Sequence, residues 1–139
     1  MPVYHVTSLA QTEGIAQALA PTLSQGAIVA FFGNLGTGKT SFIRALGTTL
    51  GIDEKSICSP TFQYLNIYDS APQLYHFDLY RLKNEEEFIE MGFDEFFQID
   101  GIVCIEWAER IEKIIPKKAI QIHLEHTKSE TRRIEIKGL

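Results

Sequence analysis

A glycine-rich segment, GNLGTGKT at residues 33–40, constrains the fold of this 139-residue chain more than any other feature. It matches in full the pattern GxxxxGK followed by Ser or Thr, and it lies between the apolar run AIVAFF and a segment with helical spacing. Glycines let successive backbone N–H groups turn toward one concavity, where the positive end of the next helix dipole also points. The order strand, loop, helix therefore predicts an anion-binding loop in an α/β fold.

The residue types in this loop suit a nucleoside triphosphate. Lys39 would reach the β- and γ-phosphates, and the Thr40 hydroxyl would ligate Mg²⁺. We therefore expect ATP and Mg²⁺ as ligands, with a purely structural glycine turn as the alternative. The guanine-reading string NKxD does not occur, which favours ATP over GTP. The predicted nucleotide-contacting residues here are Gly33, Asn34, Leu35, Gly36, Thr37, Gly38, Lys39, Thr40 and Ser41.

Hydrolysis needs acidic and hydroxyl groups from outside the loop, and three residues are candidates. Glu106 ends the apolar run GIVCIE, where a Walker B carboxylate would hold Mg²⁺, although it could also face solvent. Asp78 interrupts the run LYHFDLY, and because a buried unpaired charge is costly, its partner is Mg²⁺, an attacking water or Arg81. Thr61 in SPTF could sense the γ-phosphate or serve as a turn hydroxyl.

Other polar residues carry weaker signals. His76 lies two residues before Asp78 on the same strand face, but two groups are too few to predict a metal site, so we interpret it as a core or surface histidine. His123 and His126 are interpreted as core or surface residues in the same way. Trp107 could lie near the nucleotide or pack in the core, and the sequence does not decide between them.

The remaining patterns predict a P-loop NTPase-like α/β fold, with a mixed sheet and helices on both faces, in a single domain over residues 1–139. Ser8 and Asn84 are candidate N-caps, and Gly51 is a candidate helix stop. Strand patterns occur at VYHVT, AIVAFF, TFQYLNIYDS, QLYHFDLYRL, GIVCIEW, AIQIHLEH and TRRIEIK, and helix patterns at SLAQTEGIAQALAPTL, KTSFIRALGTTL, NEEEFIEMGFDEFF and AERIEKII.

The formal net charge of −5 limits the possible partners. Tight nucleic-acid binding depends on Lys and Arg side chains that neutralise phosphates, so DNA is not expected as a partner. The chain has no apolar run near the ~18 residues that span a bilayer and no signal-peptide pattern, so we expect a cytoplasmic protein without membrane contact. Cys58 and Cys104 need no disulfide to explain them.

Several segments in series carry a resemblance over nearly the whole chain: GNLGTGKTSF, SPTFQYLNIY, YHFDLYRL with EEFIEMGFDEFF, and IEWAER. In these segments the chain resembles the TsaE family, also called YjeE, which are bacterial P-loop ATPases needed to form threonylcarbamoyladenosine in tRNA. The resemblance implies an accessory ATPase that acts on the TsaD and TsaB proteins. Those proteins carry out the transfer to the adenosine beside the anticodon in tRNAs reading codons that begin with A, so tRNA would be contacted only indirectly.

The resemblance also implies residue roles. Glu106 would be the second metal-side group after Thr40, and Thr61, Asp78 and Trp107 would lie around the γ-phosphate and its attacking water.

Two further positions and one departure follow from the same resemblance. The family's N-terminal segment and C-terminal arginine near the nucleotide correspond here to Leu9 and Arg133. The family loop commonly begins GD or GE, whereas this chain has Asn34 after Gly33. We expect this difference to alter the affinity for the nucleotide or a partner more than the basic function of the loop.

Two other function classes stay open at this stage. A small-molecule kinase would commonly need a lid with several arginines, and the arginines here are scattered. A nucleotide-gated binding module would bind ATP without meaningful turnover.

Overall fold

The structure is a computed structural model that describes residues 2–34, 36–58, 63–127 and 131–138. Its strands are β1 (Val3–Val6), β2 (Ile28–Phe32), β3 (Leu65–Tyr68), β4 (Leu74–Asp78), β5 (Ile102–Glu106), β6 (Ile120–His126) and β7 (Arg132–Lys137). Its α-helices are α1 (Leu9–Leu19), α2 (Lys39–Thr49) and α3 (Glu85–Glu90). Short 3-10 helices cover Ala20–Thr22, Glu54–Ser56, Phe93–Gln98 and Ala108–Ile114.

The strands form one mixed sheet in the order β1-β7-β6-β2-β5-β4-β3. The central strand β2 pairs in parallel with β5 and β6, and β5 pairs in parallel with β4. The outer pairs β1–β7, β6–β7 and β3–β4 are antiparallel. Every residue of β2 and β5 is buried, which is why both read as continuous apolar runs in the sequence.

Helices cover both faces of this sheet, as predicted. On one face α1 and α2 bury Ala16, Phe42 and Leu46 against the sheet, and the Phe42 ring meets Phe31 of β2 edge-on at a centroid distance of 5.4 Å. On the other face α3 and the 3-10 helices Phe93–Gln98 and Ala108–Ile114 pack aromatic and aliphatic side chains around Phe77 of β4.

Helix boundaries follow the predicted capping residues. The Ser8 hydroxyl accepts a hydrogen bond from the Gln11 N–H at 3.2 Å at the start of α1. Asn84 accepts from the Glu87 N–H at 3.0 Å at the start of α3. Gly51, with φ +96°, follows α2 as the predicted stop.

Several predicted segments are shorter or different in the structure, among them QLYHFDLYRL, whose strand spans only Leu74–Asp78. The helix predicted over NEEEFIEMGFDEFF ends at Glu90, because Gly92 turns the chain with φ +78° into the 3-10 helix Phe93–Gln98. The segment AERIEKII forms a 3-10 helix that is interrupted at Ile111, where φ is −130°. The strand predicted over TFQYLNIYDS spans Leu65–Tyr68, and its first two residues lie outside the described part of the chain.

Cys104 is buried and Cys58 is exposed, and both are free thiols, as expected. In the described ranges, every helix is too short or too polar to cross a bilayer.

The aromatic cluster on the second face gives a stability prediction. Phe88 is fully buried and contacts Phe77, Phe93 and Phe97, with ring centroids 5.5 to 5.6 Å apart. Phe88→Ala should lower the free energy of unfolding by about 3–5 kcal/mol in urea denaturation, because it leaves a cavity that a short helix cannot close.

The matched control is the next residue of the same helix. Ile89 is 47% exposed, so Ile89→Ala should cost about 1 kcal/mol or less. Equal losses in the two variants would contradict this description of the core.

Candidate functional site

The glycine loop joins the end of β2 to the start of α2, and its glycines sit where other residues would be strained. Gly36 and Gly38 have φ of +78° and +101°, in the left-handed region. A Cβ at Gly33 would overlap the Leu124 carbonyl oxygen. The buried Thr37 hydroxyl donates to the Asn34 carbonyl at 2.8 Å and closes the loop on itself. Leu35, a predicted contact, lies outside the described residues.

Lys39 points back across the loop from the first turn of α2. Its ammonium donates to the Gly33 carbonyl and lies 3.6 Å from the centroid of the Trp107 ring. Burial lowers the pKa of Lys39, and the carboxylates of Glu109 and Glu106 act in the opposite direction. The cation therefore lies among acidic groups at the mouth of the loop.

Thr40, the next residue, is tied to the end of β5. Its hydroxyl donates to Glu106 Oε1 at 2.8 Å. Glu106 is only 3% exposed, and its other oxygen, Oε2, lies 2.6 Å from His76 Nε2. The structure thus brings the two predicted metal-side groups into direct contact, although they are far apart in sequence.

Asp78 lies beside Glu106 because β4 and β5 are parallel and the two residues are register partners. Its Oδ1 accepts the Tyr80 N–H at 3.0 Å, so the backbone supplies one partner. Burial raises the pKa of the Asp78 carboxyl, the Tyr80 N–H opposes this, and the Glu106 carboxylate adds to it. The predicted partner Arg81 has an exposed side chain.

These groups line an open cleft with a volume of about 820 Å³. Asp78, Glu106, Trp107 and Ser41 are among the residues that line it. Leu9, His126 and Arg132 also line the cleft, and the last two lie beside Gly36 and Gly38 of the loop.

Arg133, the predicted C-terminal arginine, does not line the cleft. Its guanidinium lies 3.5 Å from Glu125 and 3.6 Å from Glu135, on the other side of β7. Side chains alternate along a strand, so its neighbour Arg132 faces the cleft instead, with Nη1 3.1 Å from where a Cβ of Gly38 would lie. Thr61 lies outside the described residues.

Sequence reasoning missed two contacts to this site. Glu109 Oε2 accepts the Gly33 N–H at 2.9 Å, and the only sequence signal was its place three residues after Glu106. His76 was interpreted only as a core or surface histidine; it is buried, and its ring contacts Glu106. Its spacing from Asp78 placed it on the correct face without identifying this partner.

The donor set suits a hard cation bound together with phosphate. A hydroxyl and a carboxylate oxygen lie together at Thr40 and Glu106, and oxygen donors are what Mg²⁺ prefers. Over the residues that the structure describes, no three His, Cys, Asp or Glu side chains cluster as a separate metal site. Phosphate and water could supply the further oxygen ligands that Mg²⁺ needs.

Comparison with known proteins gives a family match over most of the chain. Residues 6–134 match the family described as threonylcarbamoyl adenosine biosynthesis protein TsaE. A protein of Bacillus subtilis strain 168 named tRNA threonylcarbamoyladenosine biosynthesis protein TsaE is 35% identical over 125 residues, covering 89% of this chain and 77% of the relative. A Treponema pallidum protein of the same name is 40% identical over 102 residues, covering 73% and 75%.

The fold is also similar to a solved structure. The crystal structure of YdiB from Bacillus subtilis superposes with a TM-score of 0.78 at 29% identity, covering 96% of this chain and 82% of that one. The α/β P-loop NTPase-like fold predicted from the sequence is thereby confirmed.

The raised pKa of Asp78 gives a pH prediction. Its pKa is higher in the folded than in the unfolded chain, so the charged carboxylate destabilises the fold above the folded pKa, and this cost disappears as the pH falls below it. Asp78→Asn keeps an acceptor for the Tyr80 N–H, so its melting temperature should exceed that of the wild type at about pH 8, with the gap narrowing toward about pH 4.

Asp100→Asn, at an exposed position, is the control and should show a smaller difference from the wild type. A variant at Asp78 that melts below the wild type at every pH would show that the carboxylate stabilises the fold.

Proposed function

Because the chain belongs to the TsaE family, we propose that it is a Mg²⁺-dependent ATPase and an accessory protein in the formation of threonylcarbamoyladenosine in tRNA. The observation that carries the proposal is the hydrogen bond between Thr40 and Glu106 at 2.8 Å, directly behind the glycine loop. A hydroxyl at a helix start and a carboxylate at the end of the adjacent strand are the groups that hold Mg²⁺ in P-loop NTPases. The names of the relatives support the pathway.

In this proposal Lys39 and the loop backbone bind the triphosphate. Lys39 would exchange its contacts with the Gly33 carbonyl and the Trp107 ring for phosphate oxygens. Thr40 and Glu106 would hold Mg²⁺, which would neutralise charge on the phosphate oxygens.

Asp78 is the group that we assign to the attacking water. It lines the same cleft as Glu106, its register partner, and its raised pKa suits a carboxylate that orients a water and takes up its proton. Water would attack the γ-phosphorus, ADP would leave, and inorganic phosphate would be released.

The nucleoside would lie against Leu9, which lines the cleft. Leu9 is 51% exposed there and offers an apolar surface, while Arg132 brings a cation close to Gly38. Asn34 is exposed, and its carbonyl accepts the hydrogen bond from Thr37 that closes the loop. Its side chain could therefore change the affinity for the nucleotide or a partner without altering the backbone of the loop.

The proposed partners are TsaD and TsaB, on which the ATPase would act in the cytoplasm without performing the transfer itself. The net charge of −5 fits a protein that reaches tRNA only through such partners. A kinase would instead transfer the γ-phosphate to a small molecule. A nucleotide-gated binding module would bind ATP and leave the γ-phosphate in place.

Phosphate release with and without the TsaD–TsaB complex tests this function. We expect phosphate to appear in solution, with a rate that the complex changes. Lys39→Ala should lower the rate about 100-fold or more, since it removes the cation that neutralises the transferred charge.

Lys118→Ala removes an exposed lysine elsewhere and should leave the rate unchanged. Unaltered turnover in Lys39→Ala would overturn the ATPase assignment, and transfer of the phosphate to a small molecule would favour a kinase.

The position of Arg132 at the cleft gives a prediction about ATP binding. Arg132→Ala should weaken ATP binding about tenfold, the size expected for one charge-assisted hydrogen bond, in a fluorescence titration that follows Trp107, the single tryptophan. Arg133→Ala is the matched control from the opposite side of β7, and its affinity should change less than about twofold. The reverse ranking would place the wrong arginine at the nucleotide.

A further inference from the structure

His76 is a fully buried polar residue whose surroundings are mostly apolar. It lies on β4 opposite Cys104 of β5, between Leu74 and Asp78 along its own strand face. A polar ring in such a place destabilises the core unless it is hydrogen-bonded, so it needs a partner. That partner is the Glu106 carboxylate, at 2.6 Å.

The two oxygens of Glu106 are divided between two neighbours. Oε2 faces His76 Nε2 and Oε1 receives the Thr40 hydroxyl at 2.8 Å. Rotation about the last bond of a glutamate side chain is broad, so one contact alone would leave the carboxylate plane loosely defined. Contacts at both oxygens fix which one faces the cleft.

The other ring nitrogen clarifies which atom donates. His76 Nδ1 is buried and makes no hydrogen bond to any residue in the described ranges. We assign a hydrogen to Nε2, which donates to the carboxylate, because a hydrogen on Nδ1 would find no acceptor among the described residues. The ring therefore supplies one donor, aimed at Glu106.

We propose that His76 is a positioning residue for the metal end of the site: it holds the Glu106 carboxylate so that Oε1 is presented to Thr40 and to Mg²⁺. The inference rests on the proposed function, since Mg²⁺ would enter with ATP. It adds to the site a residue from the core that touches neither ligand. Residues that orient a metal ligand from behind typically change metal affinity about 10–100-fold when replaced.

The test compares His76→Gln with His76→Asn. The Gln amide nitrogen can reach about as far as Nε2, whereas the shorter Asn cannot, and both variants keep a polar side chain. ATP binding is measured by Trp107 fluorescence in EDTA and across a Mg²⁺ titration, and Mn²⁺ binding to the complex with ATP is followed by electron paramagnetic resonance.

We expect the affinity of His76→Asn for ATP in EDTA to lie within about twofold of the wild type, because Lys39 and the loop are unchanged. The concentrations of Mg²⁺ and Mn²⁺ needed for half-saturation should rise about tenfold or more. His76→Gln should recover most of this loss. A role confined to packing would lower the melting temperature of both variants and leave their metal dependence alone.

Identical metal dependence in His76→Asn and the wild type would overturn the positioning role while leaving the proposed ATPase intact. Failure of His76→Gln to bind metal better than His76→Asn would also overturn it. If the wild type itself binds ATP with no dependence on Mg²⁺, the metal site in the proposed function fails together with the role of His76.

Discussion

The hydrogen bond from the Thr40 hydroxyl to Glu106 joins the first turn of α2 to the end of β5, and the site depends on it. The bond is possible because β2 and β5 are parallel neighbours, with Phe31 opposite Glu106 in register, so that the loop after β2 opens beside the end of β5. Parallel strands place their carboxyl ends at one edge of the sheet, where α/β folds bind ligands. The buried centre of the sheet thus fixes the position of two groups that the chain separates widely.

The same edge concentrates charge that burial disfavours. Burial lowers the pKa of Lys39 and raises that of Asp78, so each is pushed toward its neutral form. The backbone of Trp107 adds strain, since φ is +59°, a conformation that costs a non-glycine residue about 1–3 kcal/mol. Such features destabilise a fold and are common at functional sites, where activity requires groups that stability alone would not select.

Local patterns predicted the parts of the site that lie within one segment. The glycine loop, Lys39 and Thr40 follow from one continuous motif, and Glu106 follows from its place at the end of an apolar run. Contacts across segments were not predictable, because they depend on register: His76 meets Glu106 only once β4 and β5 pair.

The two neighbouring arginines of β7 show the same limit of prediction from sequence. A shift of one residue along a strand reverses the direction of a side chain, which separates Arg132 from Arg133. Helix ends were predicted well where a cap was visible, as at Ser8, and less well at α3, where Gly92 ends a pattern that reads as continuous.

We propose that the loop after β2 and the carboxylate of Glu106 together bind ATP with Mg²⁺. A calorimetric titration of the full chain with ATP, in Mg²⁺ and in EDTA, tests it most directly. We expect one ATP bound per chain, with an affinity that Mg²⁺ increases. Folded protein that binds no ATP at millimolar concentration, with or without Mg²⁺, would contradict it.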